Sequence, residues 1–293
     1  MDAETCALLP ALEYPNVKMV SGAEVKRLIS SLDGKRVEMV EFDRGGEVTR
    51  VGASTVLLAA GAVRSAALLL ASKDGGLANR SGVVGRHFMT HNASAVMAID
   101  PRFHNNSIYQ KTFGLNDFYL SGPRGGPPLG NVQLLGRVSG PILKTHVPWA
   151  PELILHGLTQ RSVDFFALSE DLPLPENRVS LDGGKIVLDI RRNNMSAMHG
   201  LVRELKSVLR EAGFPLVVSK LFDHRGPSHQ CGTIRMGSDP ATAAVDSFAR
   251  SFDVSNLFVV DASTLVSSAA VNPSLTVAAL AMRAAAHIRS SSD

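Results

Sequence analysis

The residue types best suited to chemistry gather in the last quarter of the sequence. His229 lies in Ser228-His229-Gln230-Cys231-Gly232-Thr233, directly after Gly226-Pro227. A histidine in a polar, glycine-bearing loop can present its imidazole to a small molecule and take up a proton near neutral pH, the work of a general base. The same position also suits a structural or surface histidine. Asn272 follows forty-three residues later, just before an alanine-rich stretch that reads as the last helix. A helix N-terminus offers free N–H groups and a partial positive charge, which together stabilise an anion. Asn272 reads either as the cap of that helix or as a side chain facing the same centre as His229. Asp261 closes the apolar run 256–260. It would lie at the carboxyl end of a strand, where α/β folds bind ligands; a ribose or ribityl hydroxyl is one partner, a plain turn the other reading. His87 and His91 are spaced i, i+4, as a metal pair on a helix would be, but the acid of a zincin motif and a third ligand are missing, so no metal is assigned. Cys6 and Cys231 are the only cysteines. Two do not make a disulfide framework; they read as small apolar side chains in a reducing compartment.

These groups need a scaffold, and the composition supplies one. The 293 residues are 45% hydrophobic and 19% charged, with a net charge of +3. That balance excludes a disordered chain, a collagen-like fibre and a coiled coil. The charge is dispersed, so neither nucleic acid nor a polybasic membrane contact is expected. The first residues are acidic where a signal peptide would be basic, and the long apolar stretch near the end is broken by Arg283. A cytoplasmic protein is therefore expected, unless an N-terminal segment is missing.

Along the chain, residues 16–20 read as a short strand. Residues 24–31, 36–43 and 47–52, separated by Asp33-Gly34 and Gly45-Gly46, read as an antiparallel meander. The apolar run 54–60 suits a parallel strand buried on both faces, and residues 63–72 a helix packed through Leu68, Leu69 and Leu70. The middle, from about 93 to 170, is rich in glycine, proline and short β-prone pieces such as 131–135. Asp182-Gly183-Gly184 predicts a hairpin. Residues 195–211 carry Met198, Leu201, Val202, Leu205, Val208 and Leu209 on one helical face, with Gly213 as the stop. Residues 256–260 read as a strand, and a last helix is expected from about 273 to 288, with asparagine at the cap and proline at its first position.

Taken together these segments resemble the glucose–methanol–choline (GMC) oxidoreductases, FAD-dependent alcohol oxidases and dehydrogenases. The specific part is SHQCGTIRMG at 228–237 with Asp239-Pro240-Ala241-Thr242, then NLFVVDAS at 256–263 and AVNPSLT at 270–276. VLLAAGAVRSAALLLAS at 56–72 is similar to a second family signature, departing from it at Ala66 and at Lys73-Asp74. Val84-Gly85-Arg86-His87-Phe88-Met89 is similar to a third segment. The likeness is weakest between residues 101 and 172.

The resemblance implies a mixed α/β fold. Part of an FAD-binding domain (1–92), a substrate domain on an antiparallel sheet (93–222) and a return to the FAD domain carrying the catalytic motif (223–293) are expected. It implies oxidation of a small-molecule alcohol at its CH–OH group, with hydride passing to the flavin of FAD. His229 would then be the catalytic base and Asn272 its partner on the substrate oxygen. Asn272, Pro273 and Thr276 would lie by the flavin ring edge, Asp261 and Ala262 by the ribityl and pyrophosphate, and Val25 by the adenine. No G-x-G-x-x-G turn occurs in the sequence. The chain is therefore expected to be the C-terminal portion of such an enzyme, lacking the dinucleotide-binding motif. The other reading is a non-catalytic remnant, or one chain of a split flavoenzyme that does not hold FAD alone and needs a missing segment or complementary chain. The chain alone is expected to be colourless and either poorly soluble or partly unfolded.

Overall fold

The computed structural model describes residues 2–107, 111–223 and 228–291; Gly226-Pro227, ahead of the histidine loop, lie outside the described residues. A π-helical stretch, Glu4–Leu8, runs into α1 (Leu9–Leu12), and neither buries a side chain. Residues 16–20 are irregular and exposed rather than a strand. They belong to none of the sheets, and backbone groups without a neighbouring strand stay with water.

The meander is present as β1 (Glu24–Ser30), β2 (Val37–Arg44) and β3 (Glu47–Gly52), antiparallel in the order of the chain. Next, β4 (Val56–Leu58) is only three residues long, and Leu57 is 51% exposed. The run was expected to be covered on both faces; its sheet proves too narrow for that. In α2 (Gly61–Ser72) the buried residues are Ala62, Ser65, Ala66, Ala67 and Leu69. Three consecutive leucines cannot share one side of a helix turning about 100° per residue, so Leu69 packs inward and the small residues set the contact.

A larger antiparallel sheet occupies the middle of the chain. Its members are β5 (His91–Ile99), β6 (Gly114–Leu115), β7 (Asn131–Gly136) and, after α3 (Gly140–His146) and α4 (Glu152–Thr159), β8 (Ser162–Glu170). Beyond them come the hairpin β9 (Arg178–Asp182) and β10 (Lys185–Asp189), then α5 (Met195–Glu211) and β11 (Leu216–Leu221). The five-stranded order is β11-β5-β8-β7-β6, antiparallel at every pairing. Helix α5 closes one face, with Met198, Leu201 and Leu205 fully buried against Val96, Val132 and Phe165. Those three leucine and methionine positions follow the i, i+3, i+7 rhythm of an amphipathic helix, while Val208 drifts to the margin at 39% exposure.

The hairpin turns where Asp182 faces Lys185, with Gly183 and Gly184 at φ 53° and 80°. Both central residues at positive φ make this a type I′ geometry, which glycine adopts without strain. Its Val179 enters a second core with Leu28, Leu69, Phe88, Ile234 and Leu257. That core joins residues from both ends of the chain, because β12 (Leu257–Val259) returns to pair in parallel with β4. The last element, α6 (Ser274–Ser290), buries only Ala284; Leu275 and Met282 are 83% and 75% exposed. Near its end His287 stacks on Phe248, ring centroids 4.2 Å apart. Among the described residues no helix is long and apolar enough to cross a membrane.

Candidate active site

The histidine loop is bolted in place by its neighbours. Cys231 and Met89 exchange two backbone hydrogen bonds, each 3.0 Å long. Gly232, Ile234 and Met236 donate their N–H groups to the carbonyls of Ala262, Ser263 and Thr264, at 3.2, 2.8 and 2.9 Å. Gly232 has φ 92°, and a Cβ there would meet the carbonyl oxygen of His87 at 2.4 Å, so the chain needs glycine at this crossing. Thr233 donates its hydroxyl to the carbonyl of Ala62. The motif residues around His229 thus serve largely to fix one backbone path.

On that path His229 takes φ 53°, a left-handed conformation uncommon outside glycine and a form of strain that gathers at functional sites. Its Nε2 lies 3.3 Å from Nδ2 of Asn272. Its ring packs edge to face on that of His91, centroids 4.8 Å apart and planes at 70°. Burial, with the charge of Lys111 adding to it, holds the imidazole below its ordinary pKa, so the neutral, proton-accepting form is favoured.

Asn272 is not a helix cap. Helix α6 starts one residue later than expected, Pro273 occupies the cap position, and no side chain caps the end. The first bond into the helix is from Val277 N–H to Pro273 O. The N–H groups of Ser274, Leu275 and Thr276 therefore have no intrahelical acceptor. The amide of Asn272 is turned instead to His229 and to Gln133 on β7, whose Nε2 donates to Asn272 Oδ1 at 2.9 Å. The substrate-facing alternative thus fits this geometry, and Asn272→Ala is expected to leave the melting temperature unchanged. A fall equivalent to about 0.5–2 kcal/mol, the usual cost of losing a cap, would return Asn272 to a structural role.

The remaining expected positions are more dispersed. Asp261 is buried, and its carboxylate accepts from Gly61 N–H at 2.9 Å, Ser65 Oγ at 2.5 Å and Ser263 N–H at 2.8 Å. It ties the end of β12 to the start of α2. Ala262 is half-buried, Pro273 half-buried and Thr276 exposed. Val25 lies on β1, an edge strand, at 41% exposure. Among the described residues no hydrogen bond links Val25 or Thr276 to the side chains of the His229–Asn272 pair. His87 and His91 do not share a helix: His87 sits in a turn at φ 59°, its Nδ1 3.1 Å from Pro173 O, and His91 opens β5.

Two neighbours of the site carried no usable signal in sequence. Gln133 is one polar residue in an ordinary strand. His91 attracted notice only as half of a metal pair. It is buried, and burial drives its pKa down to about 4, so it is neutral at physiological pH. His91 lines a small polar cavity of about 60 Å³ with Thr90, Asn92, Asp171, Arg192 and Ser228. Asp171 is buried too, and burial pushes its carboxyl up to about 6. Cys231, the buried cysteine, is raised to about 12 by burial and the nearby acids, so it remains a thiol; Cys6 is exposed rather than buried. An open cleft of about 780 Å³ lies among Lys35, Lys73, Asp74, Arg80, Arg250 and Asp253 and includes neither His229 nor Asn272. Asp33 and Asp246 also line it, so four cationic side chains face four carboxylates; the cleft recommends no ligand, and the geometry of the histidine loop is the better guide.

The residues present fit the flavin end of an FAD molecule. An uncapped helix N-terminus beside a neutral imidazole and an amide can receive the partial negative charge of a reduced ring. Comparisons with known proteins agree in family. The chain is 28% identical over 313 residues to 6'''-hydroxyparomomycin C oxidase of Streptomyces lividus, covering 99% of this chain and 55% of that one. It is 27% identical over 289 residues to 2-methyl-1,2-propanediol dehydrogenase of Mycolicibacterium austroafricanum, covering 89% and 52%. The chain thus spans about half the length of the curated relatives it matches. Among solved structures, pyridoxine 4-oxidase from Mesorbium loti superposes with a TM-score of 0.60 at 21% identity, over 98% of this chain and 61% of that one, a likeness of fold. Two family models, both described as GMC oxidoreductase, match residues 1–93 (the N-terminal model) and 185–281 (the C-terminal model). The expectation of a C-terminal portion is narrowed accordingly, since residues 1–93 belong to the N-terminal region. With both models represented over most of its length, the chain belongs to the GMC oxidoreductase family.

Proposed function

We propose that this chain carries the substrate-oxidising half of an FAD-dependent oxidoreductase that converts a small-molecule alcohol to a carbonyl. The observation that carries the reading is the His229–Asn272 pair, 3.3 Å apart, beside the free N-terminus of α6. The names of the relatives support the substrate class: one is an oxidase of 6'''-hydroxyparomomycin C and another a dehydrogenase of 2-methyl-1,2-propanediol. FAD, when bound, supplies the hydride acceptor. His229, neutral at physiological pH, takes the hydroxyl proton at Nε2. Asn272 offers Nδ2 to the same oxygen and so orients the carbon that gives up hydride. The N–H groups of Ser274, Leu275 and Thr276 lower the energy of negative charge placed against them. Val25, Asp261, Ala262 and Pro273 remain the proposed cofactor contacts, Asp261 through its surroundings rather than a free carboxylate. In flavin-loaded enzyme, Asn272→Ala should slow the reductive step measured by stopped flow; an unchanged rate counts against the substrate role.

One observation favours a second reading for the chain alone. Among the described residues the parallel pair β4–β12 has no further strand, and α6 fully buries only Ala284 while Leu275 and Met282 stay largely exposed. Parallel sheets are ordinarily covered on both faces. In that reading the 293 residues hold FAD only together with a complementary segment. The purified chain, incubated with FAD and gel-filtered, is then expected to emerge colourless. Stoichiometric yellow flavin on a monomer would refute it.

A further inference from the structure

Gln133 sits half-buried on β7, in the central sheet, yet its side chain reaches the His229 centre. Its Nε2 donates to Asn272 Oδ1 at 2.9 Å, and Asn272 Nδ2 then faces His229 Nε2 at 3.3 Å. An amide nitrogen only donates, so the ring nitrogen it faces has to carry a lone pair. A neutral imidazole has one ring proton, which this arrangement assigns to Nδ1. That nitrogen is buried, with no hydrogen-bond partner among the described residues, in a ring packed on His91. A histidine free in water prefers the opposite tautomer, with the proton on Nε2. Something must therefore hold this one.

We propose that Gln133 is a positioning residue: by occupying Asn272 Oδ1 it turns the Asn272 amide so that His229 is kept as the Nδ1–H tautomer, with the Nε2 lone pair ready to accept a proton. The inference rests on the reading of His229 as the base and deepens it. Base strength alone does not make a catalyst; the accepting nitrogen has to be the one that meets the substrate oxygen. Gln133 couples that choice to the central sheet, so the segment that shapes the substrate side also sets the state of the base. His91 backs the same ring through packing, and its own neutrality adds no positive charge beside a developing imidazolium.

The test is the ring ¹⁵N spectrum of histidine-labelled full chain, at about pH 9 where the imidazoles are neutral. It is read in solution or by magic-angle spinning on sedimented protein, and His229 is assigned by its loss in His229→Gln. The unmodified chain is expected to show a pyrrole-type Nδ1 and a pyridine-type Nε2 at His229. In Gln133→Glu the side chain keeps its size but can only accept. Asn272 must then turn Nδ2 toward it and Oδ1 toward His229, and the two ¹⁵N signals should exchange character. Gln133→Leu removes the lock and should give averaged shifts. An Nε2–H tautomer in the unmodified chain overturns the proposal, as do unchanged His229 shifts in Gln133→Glu. Neither result depends on flavin. Failure of the base assignment would appear separately, as an unaltered rate of flavin reduction in His229→Ala.

Discussion

In flavin-loaded enzyme, His229→Ala is expected to slow reduction of the flavin by an alcohol about 10²–10⁴-fold, the usual loss when a general base is removed. The bound flavin itself should remain, because the side chain makes no contact that the backbone path of its loop depends on. That path is set by the main-chain bonds of Cys231 and Gly232 with Met89 and Ala262. Alanine also removes the edge-to-face packing on His91, so a modest loss of stability is expected and is to be measured beside the rate. Burial holds the His229 pKa under the ordinary 6.5. The base form is the deprotonated one, so activity should persist as pH falls through 6.5 and decline only at lower pH. An unchanged rate at saturating alcohol would sink the assignment. A decline centred well above pH 6.5 would contradict the electrostatics described for the loop.

Asp261→Ala should produce the largest structural effect. The buried carboxylate receives the N–H of Gly61 at the start of α2, the hydroxyl of Ser65 one turn on, and the N–H of Ser263 in the segment that supports the histidine loop. Negative charge at a helix N-terminus is favourable, and here it also satisfies the buried donors of Ser65 and Ser263. Removing it leaves those two donors without an acceptor in the interior. A loss of about 3 kcal/mol is expected from hydrogen bonds to a charged acceptor, or a melting temperature lower by roughly 6–12 °C. Asp261→Asn keeps one acceptor and should recover part of this. A purely cofactor-contacting aspartate would give the opposite pattern: an unaltered melting curve without FAD and weaker flavin binding. Calorimetry of the apo chain separates the two.

Local signals were enough where the physics is local. Two glycines at positive φ specify the β9–β10 turn whatever surrounds it. The apolar spacing of α5 marks its buried face, because a helix repeats its geometry every few residues. The meander followed from its turns, and the family from the motifs around His229 and Asn272. The sequence also put those two residues forward as partners, although forty-three positions separate them.

Other features depended on which distant segments meet. β4 is short because β12, its one partner among the described residues, offers three residues, and nothing within 54–60 encodes that limit. Residues 16–20 have the composition of a strand and no strand to join. Asn272 has the sequence position of a cap, but Pro273 takes that place and Gln133, 139 residues away, claims the amide. His91 is spaced from His87 as a metal pair on a helix would be, and is a strand residue packed on the ring of His229. In each case the deciding contact joins residues far apart in the chain, so no pattern of neighbours could carry it; capping, pairing and ring packing are settled only when the sheet and the two ends of the chain come together.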